Sequence, residues 1–325
     1  MPRVHIIATG GTIAMAQQAP DTGAVVALTG SDLVGKLAGQ SEPALPAMTC
    51  EEYGRLPSSH FTPDYLWGLR NRVAESSCQA DLDGIVVTHG TDTLEETAYL
   101  LDLTVPGDKP MVLTGAMRLA SEAGYEGIAN LGAAVRVAAC PAARGLGALV
   151  VMNDEIHAAR DVTKTDSQSL DTFKSPSWGP LGRVEPGGIT IPRRIRRQLL
   201  HCTGLEPRVY LFKLVAGMDA ELVPHAVKLG ARGIVIEAFG SGRVPPWWLQ
   251  AVEQAIAQGV AVAVSTRCPS GSVSDRYGFV GAYHDLVRAG CLFAEGLNGP
   301  KMRLRLMAAL GTARNLEGAR QLFNA

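Results

Sequence analysis

The sequence predicts an α/β protein of two domains, a larger N-terminal one on a mostly parallel sheet flanked by helices and a smaller C-terminal parallel one. The chain has 325 residues, more than a single hydrophobic core usually accommodates. Short β-branched runs alternate with helical segments, which is typical of parallel sheets. The alternation stops near Glu185-Pro186-Gly187-Gly188. We therefore predict domains over 1–183 and 208–325, joined by a linker over 184–207.

Each predicted strand is a short apolar run, and the predicted helices are the longer segments that follow such runs. The N-terminal domain has predicted strands over 4–8, 84–88, 111–114 and 148–152, and predicted helices over 63–76, 94–103 and 127–140. The C-terminal domain has predicted strands over 209–215, 233–238 and 260–265, and predicted helices over 220–229, 247–258, 299–310 and 316–323.

The composition excludes some classes of partner. The formal net charge is -1 and there is no long run of like charges, which argues against a nucleic acid as the main partner. Four arginines, at positions 193, 194, 196 and 197, are the local exception. We interpret them as a solvated linker face or a subunit contact, with an anion site as the alternative.

The cysteines and the hydropathy indicate the compartment. The 6 cysteines are scattered without a C-x-x-C pair, which favours reduced thiols in a cytoplasmic enzyme over a disulfide framework. No apolar run reaches the roughly 18 residues of a membrane span, and no charged leader precedes the first strand. The histidines and cysteines lack metal-ligand spacing, so we assign no metal and no organic cofactor.

Hydroxyl, carboxylate and lysine side chains follow the predicted N-terminal strands. In open α/β sheets, chemistry gathers beyond the carboxyl ends of the strands. The segments there are Thr9-Gly10-Gly11-Thr12, His89-Gly90-Thr91-Asp92-Thr93, Gly115-Ala116-Met117-Arg118, and Asn153-Asp154 leading to Arg160-Asp161-Val162-Thr163-Lys164. The glycine pair before Thr12 allows a tight turn that approaches a ligand closely, although a plain strand-to-loop turn explains these four residues equally well.

The second segment leads into a helix. Thr93-Leu94-Glu95-Glu96 has the form of a capping box, with Thr93 as the N-cap. The positive end of this helix favours a bound carboxylate or a developing oxyanion. The plainer alternatives are that Asp92 is a second cap and Thr91 a buried loop threonine.

Thr91, Asp92 and Lys164 together suggest a catalytic group. A threonine hydroxyl is a poor nucleophile unless a neighbouring base takes its proton. Lys164 is the candidate base, and Asp92 can hold the lysine in place. Taken singly, Lys164 would be interpreted as a surface lysine.

Motifs along most of the chain resemble the bacterial L-asparaginase family. They are residues 8–14 (ATGGTIA), 88–98 (THGTDTLEETA), 115–118 (GAMR), 150–154 (VVMND), 160–164 (RDVTK), 172–176 (TFKSP) and 179–182 (GPLG). The resemblance is close over residues 4–183 and weaker but collinear to the C-terminus. It implies the two-domain asparaginase fold, with Thr12 as the nucleophile and Thr91, Asp92 and Lys164 as a second, rigid triad.

The resemblance also implies the substrate contacts. Backbone N–H groups near Thr91 and Ala116 would be the oxyanion donors, and Gly11 and Gly90 would also contact the substrate. Ser58, Ser59 and Thr91 would bind the α-carboxylate. Asp92 would bind the α-amino group, together with an acidic residue from a neighbouring subunit. Asp285 is the first candidate for that residue and Asp275 the second, in a homotetramer built as a dimer of dimers.

Two departures from the family concern the activation of Thr12 and the choice of substrate. The flexible lid after the first strand usually carries a tyrosine, but here Gly23 or Ala24 takes that place and the first tyrosine is Tyr53. Ser59 stands where many relatives carry a glutamine. The prediction is an L-asparaginase acting on L-asparagine, with L-glutamine as a possible second substrate. The alternatives are a broader glutaminase-asparaginase, a glutaminase feeding ammonia to a partner, and a non-catalytic amino-acid-binding relative.

Overall fold

The computed structural model describes residues 1–19, 22–39, 45–274 and 276–324, and it divides into two compact units, Met1–Leu199 and Leu200–Ala325. The strands of the first unit are β1 (Arg3–Ala8), β2 (Met15–Ala16), β3 (Val25–Val26), β4 (Ala47–Glu52), β5 (Gly84–Thr88), β6 (Met111–Thr114), β7 (Ala148–Met152), β8 (Glu155–Ala158), β9 (Thr163–Lys164), β10 (Phe173–Lys174), β11 (Gly182–Glu185) and β12 (Gly188–Thr190). Its α-helices are α1 (Gly30–Ala38), α2 (Pro63–Ser77), α3 (Leu94–Thr104) and α4 (Gly127–Ala138).

The main sheet of this unit has the strand order β12-β11-β8-β7-β6-β5-β1-β4. Strands β4, β1, β5, β6 and β7 run parallel, and β8, β11 and β12 are antiparallel to their neighbours. Successive residues of a central strand enter cores on opposite faces, Ile6 on one and Ile7 on the other. Burial of both faces explains why these strands are continuous apolar runs, and the predicted mostly parallel sheet is confirmed.

Several strands and one helix of the first unit have no counterpart in the prediction, among them β4 and α1. β4 is an edge strand whose sequence, Ala-Met-Thr-Cys-Glu-Glu, is too polar for the pattern of a buried strand. α1 begins after Thr29, whose hydroxyl accepts a hydrogen bond from the Asp32 N–H in a complete capping box. Edge strands have one open side and tolerate polar residues, so hydropathy alone does not reveal them.

The segment predicted as a linker begins with regular structure. Residues around Pro186 form the turn of the β11–β12 hairpin at the edge of the sheet. Three of the four arginines then donate hydrogen bonds to the first unit: Arg193 to the Pro180 carbonyl (3.1 Å), Arg194 to the Ala142 carbonyl (2.9 Å) and Arg197 to the Asp102 carboxylate (2.9 Å). Arg194 is exposed, which agrees with a solvated face, whereas Arg193 and Arg197 are half-buried against the unit. The subunit contact stays a prediction. The domain boundaries themselves stay a prediction.

The second unit contains a three-stranded parallel sheet, β13-β14-β15, as expected. Its strands are β13 (Val209–Lys213), β14 (Gly233–Ala238) and β15 (Ala261–Thr266), and its helices are α5 (Leu222–Lys228), α6 (Pro246–Ala257), α7 (Tyr283–Ala289), α8 (Gly299–Thr312) and α9 (Leu316–Asn324). Trp248 is fully buried in its core, whereas the adjacent Trp247 is half exposed.

Candidate active site

The loops predicted to carry the chemistry start at one edge of the main sheet. In the parallel register Thr114 of β6 pairs with Thr88 of β5, Thr88 with Ala8 of β1, and Ala8 with Glu52 of β4. The loops that follow these strands therefore leave the sheet side by side. This arrangement agrees with the rule that placed the site at the carboxyl ends of the strands.

Thr91, Asp92 and Lys164 lie together at this edge. Residues 89–93, here called the Thr91 loop, connect β5 to α3. Thr91 itself is buried. The Lys164 Nζ donates to the Thr91 Oγ1 at 3.0 Å and to the Asp92 Oδ1 at 2.9 Å. The lysine comes from β9, which pairs with β10 outside the main sheet. A side chain more than seventy residues away in sequence thus bridges the two neighbouring residues of the loop.

Glu95 fixes the backbone from which Lys164 extends. The Lys164 N–H donates to the Glu95 Oε2 at 2.6 Å, and Glu95 is buried in the first turn of α3. The Asp92 side chain is 66% exposed, and an ion pair this open contributes less than about 1 kcal/mol to stability. The ion pair between Lys164 and Asp92 therefore matters because it positions the two side chains, and not because it stabilises the fold. Sequence reasoning placed Glu95 within a helix start and missed this contact.

Thr12 lies on a tight turn, residues 9–14, here called the Thr12 turn. Gly10 and Gly11 have φ angles of 98° and 82°, which side chains rarely adopt, and Thr12 then begins a 3-10 helix. A Cβ on Gly11 would lie 2.3 Å from the backbone nitrogen of Gly90. The Thr12 turn therefore packs backbone against backbone on the Thr91 loop, with Thr12 half-buried.

Ser58 also contacts the Thr91 loop. A Cβ on Gly90 would lie 2.7 Å from the Ser58 Oγ, and the Thr93 hydroxyl donates to the Ser58 carbonyl at 3.0 Å. Thr93 occupies the N-cap position of α3 but makes no capping hydrogen bond with its side chain. The predicted capping box is therefore wrong, because the Thr93 hydroxyl is used between loops. Ser59, the neighbouring candidate, is exposed.

The loop after β6 completes the arrangement. Ala116 is fully buried, and a Cβ on the preceding Gly115 would lie 2.6 Å from the His89 carbonyl oxygen. The Asn130 side chain holds this loop by donating to the Gly115 carbonyl at 3.0 Å. Gly11, Gly90, Ser58 and Ala116 thus belong to segments that touch one another around Thr91.

His89 is a packing residue at the base of the Thr91 loop. The ring is fully buried, with Nδ1 2.7 Å from the Gly90 carbonyl oxygen and Nε2 2.8 Å from the Thr97 Oγ1. Burial lowers the pKa of His89 to about 4. The neutral ring can therefore donate to Gly90 and accept from Thr97, which is the role of a packing residue rather than that of a base.

Asp285, the candidate for the contact between subunits, lies at the start of α7 in the second unit. Its Oδ2 accepts from the Gly281 N–H at 2.9 Å, and its Oδ1 pairs with Arg288 at 2.7 Å. Its role toward substrate stays a prediction, and Asp275 falls outside the described residues. Among the described residues, no three His, Cys, Asp or Glu side chains are grouped to hold a metal. No helix in the described ranges is long and apolar enough to cross a bilayer.

Comparison with known proteins places the chain in a family. Residues 3–197 match the family described as Asparaginase, N-terminal, and residues 208–323 match the Glutaminase/Asparaginase C-terminal domain. The chain is 32% identical to an L-asparaginase of Bacillus licheniformis, with 99% of this chain and 98% of the relative covered. It is 33% identical to a glutaminase-asparaginase of Pseudomonas fluorescens biotype A (99% and 90% covered), and 34% identical to a probable periplasmic L-asparaginase of Haemophilus influenzae (99% and 93% covered).

These matches extend over both units, and the enzyme class follows from them. The chain is an amidohydrolase. It belongs to the bacterial L-asparaginase family.

Proposed function

We propose that this enzyme hydrolyses the side-chain amide of L-asparagine to L-aspartate and ammonia. The observation that carries the proposal is the double contact of Lys164 with Thr91 and Asp92, next to the point where the Thr12 turn touches the Thr91 loop. The Thr91 hydroxyl, a lysine and a carboxylate are thereby in contact, and the backbone before Thr12 packs on the same loop. The relatives named as L-asparaginases support the same substrate.

Thr12 is the proposed nucleophile. Its Oγ bonds to the amide carbon and the C–N bond breaks, while the hydroxyl proton passes to the departing amide nitrogen to give ammonia. Water then attacks the resulting ester, returns a proton to the Thr12 oxygen and releases aspartate. Thr91, Lys164 and Asp92 carry the protons. Backbone N–H groups near Thr91 and Ala116 stabilise the oxyanion, a contribution commonly worth about 3 kcal/mol.

The proposed substrate contacts surround this centre. Ser58 and Ser59 bind the α-carboxylate, Asp92 binds the α-amino group, and the backbone at Gly11 and Gly90 lies along the substrate. Because Ser59 is short and exposed, we also propose that glutamine is accepted as a second substrate. The relative named as a glutaminase-asparaginase favours this extension.

We propose a homotetramer in which Asp285 of a neighbouring subunit helps to bind the α-amino group. Large apolar side chains of the second unit support association, since Val280, Phe279 and Trp247 are 57%, 53% and 51% exposed. Light scattering should give the mass of four chains, and Asp285→Asn should raise KM more than it lowers kcat.

We also propose a cytoplasmic location, because the cysteines are free thiols, although one relative is named as periplasmic.

The decisive measurement is ammonia release from L-asparagine and L-glutamine by the wild type, Thr12→Ala and Thr91→Ala. Each variant should lose about 1,000-fold or more in kcat, the scale of losing a nucleophile or its proton relay. Thr190→Ala, an exposed threonine of β12, is the matched control and should keep full activity. A wild type that binds aspartate but releases ammonia from neither amide would refute the proposal.

A further inference from the structure

The backbone immediately after Thr12 is bonded to a tyrosine that is distant in sequence. The hydroxyl of Tyr125 donates to the Ile13 carbonyl at 2.5 Å, across a separation of 112 residues. Tyr125 is half-buried on the loop between β6 and α4, here called the 117–126 loop. The Tyr125 hydroxyl therefore bonds to the Thr12 turn from a separate loop, which is not part of the antiparallel pair formed by β2 and β3.

The same loop contacts the chain that follows the Thr12 turn. The Ala120 N–H donates to the Met15 carbonyl at 2.8 Å, and the Gln17 N–H donates to the Ser121 Oγ at 3.1 Å. The tyrosine bond is thus one of a series that joins residues 13–17 to the 117–126 loop. Of these bonds, it is the one next to Thr12.

The 117–126 loop is itself held in shape. The Glu126 carboxylate accepts from the Met117 N–H and from the Arg118 N–H, the latter at 3.4 Å. The Glu122 carboxylate accepts from the Leu119 N–H at 2.8 Å. Carboxylates that bond backbone N–H groups make strong, directional contacts, so the loop offers Tyr125 a fixed support.

Gly127 makes room for the Tyr125 ring. A Cβ on Gly127 would lie 2.3 Å from the tyrosine oxygen and 2.4 Å from its Cζ. The ring therefore lies directly over the first residue of α4. Burial also raises the pKa of Tyr125, which keeps the hydroxyl protonated and able to donate.

We infer that Tyr125 is a positioning residue for Thr12: by bonding the Ile13 carbonyl, it sets where the Thr12 hydroxyl meets the substrate amide. The inference rests on the proposed role of Thr12 as nucleophile. Tyr125 acts through the backbone and need not touch the substrate. Misplacing a reacting group by about 1 Å can cost about 100-fold in rate, so one well-placed hydrogen bond is sufficient to matter.

The test is asparagine hydrolysis by Tyr125→Phe, which removes the hydroxyl and keeps the ring. We expect kcat to fall about 10- to 100-fold, with KM and the Kd for L-aspartate within about twofold of wild type. Tyr53→Phe is the matched control, because the Tyr53 hydroxyl also donates to a backbone carbonyl, that of Tyr65, at 3.2 Å. It should keep wild-type kcat while losing a comparable amount of thermal stability.

A second variant disturbs the bond between Tyr125 and the Ile13 carbonyl without removing the hydroxyl. Gly127→Ala should displace the Tyr125 ring and lower kcat, again with the Kd for L-aspartate close to that of wild type. An active wild type together with a fully active Tyr125→Phe overturns the inference alone. A parallel loss of kcat and aspartate affinity in both variants also overturns it, since that pattern indicates a general structural role. An inactive wild type refutes the proposed function, and the inference with it.

Discussion

The two threonines of the site are held by different kinds of structure. Thr91 lies between the fully buried strand β5 and the helix α3, and its hydroxyl accepts a hydrogen bond from Lys164. Thr12 follows two glycines of positive φ, and the neighbouring backbone contacts Gly90 and Tyr125. Regular elements and a side-chain network fix the Thr91 loop, whereas contacts with neighbouring loops fix the Thr12 turn. Small changes in loops should therefore affect Thr12 before they affect Thr91.

The sharpest way to disable the Thr91 side is Lys164→Met. It removes the ammonium group from Thr91 and Asp92, and kcat should fall about 1,000-fold, within the range for a general acid–base group. Lys174→Met is the matched control. Lys174 lies on β10, which pairs with β9, but bonds Glu155 and Asp171 instead of Thr91. Ammonia release checks both variants, and equal losses would contradict a specific role for Lys164.

Much of the Thr91 side could be predicted from sequence. Strands such as β5 are continuous apolar runs, and parallel strands bring their carboxyl ends to one edge. These two rules were enough to group Thr91 and Asp92 on that edge with the loops after β1 and β6. The segment after the fourth predicted strand added Lys164 to that group, and the motifs shared with the family agree with it.

The contacts of the Thr12 side could not be predicted in this way. The bond between Tyr125 and Ile13 joins residues 112 apart, and no local periodicity reports such a pair. One contact of the Thr91 loop also escaped prediction: Thr93 has the sequence of a capping residue, yet its hydroxyl bonds Ser58, because tertiary contacts override local preference. Loop-to-loop hydrogen bonds depend on the folded arrangement of several elements, and the sequence of any one element does not contain them.

The close approach of the two regions can be broken by Gly11→Ala. A Cβ there meets the Gly90 backbone at 2.3 Å, so the turn and the loop must separate. We expect kcat to fall about 100-fold, as for a reacting group misplaced by about 1 Å. Gly107→Ala is the control: Gly107 has a φ of +107° but nothing within 4 Å, so it reports backbone strain alone. If Gly11→Ala lost no more activity than this control, the packing of the turn on the loop would be unimportant.

Low pH should lower the stability of the fold through His89, which is buried at the base of the Thr91 loop. Burial lowers the pKa of His89 from 6.5 to about 4, so the unfolded chain binds a proton more readily than the folded one. The contribution of the neutral His89 ring to the free energy of unfolding is complete above pH 6.5 and is lost as the pH falls toward 4. By pH 5 the free energy of unfolding is lower by about 2 kcal/mol. His157, also buried with a pKa of about 4, acts in the same direction.

Urea unfolding at pH 7 and pH 5 measures this loss. His89→Gln, which carries no titrating ring, should reduce the difference between the two pH values by about 2 kcal/mol. His60→Gln, at an exposed position beside Ser59, is the control and should leave the difference unchanged. An unaltered pH dependence in His89→Gln would mean that the buried ring does not resist protonation.

The smallest expected effect concerns how firmly Lys164 is held. Glu95→Ala removes the acceptor of the Lys164 N–H but leaves the ammonium contacts to Thr91 and Asp92 possible. We expect kcat to fall about 10-fold with KM little changed, since removing one hydrogen bond that positions the backbone costs about 1.4 kcal/mol. Glu95→Gln keeps an oxygen that can accept the same hydrogen bond, so it should recover most of the activity. If both variants were equally impaired, the charge of Glu95 would matter more than its hydrogen bond, and the Thr91 loop would depend on electrostatics as well as on geometry.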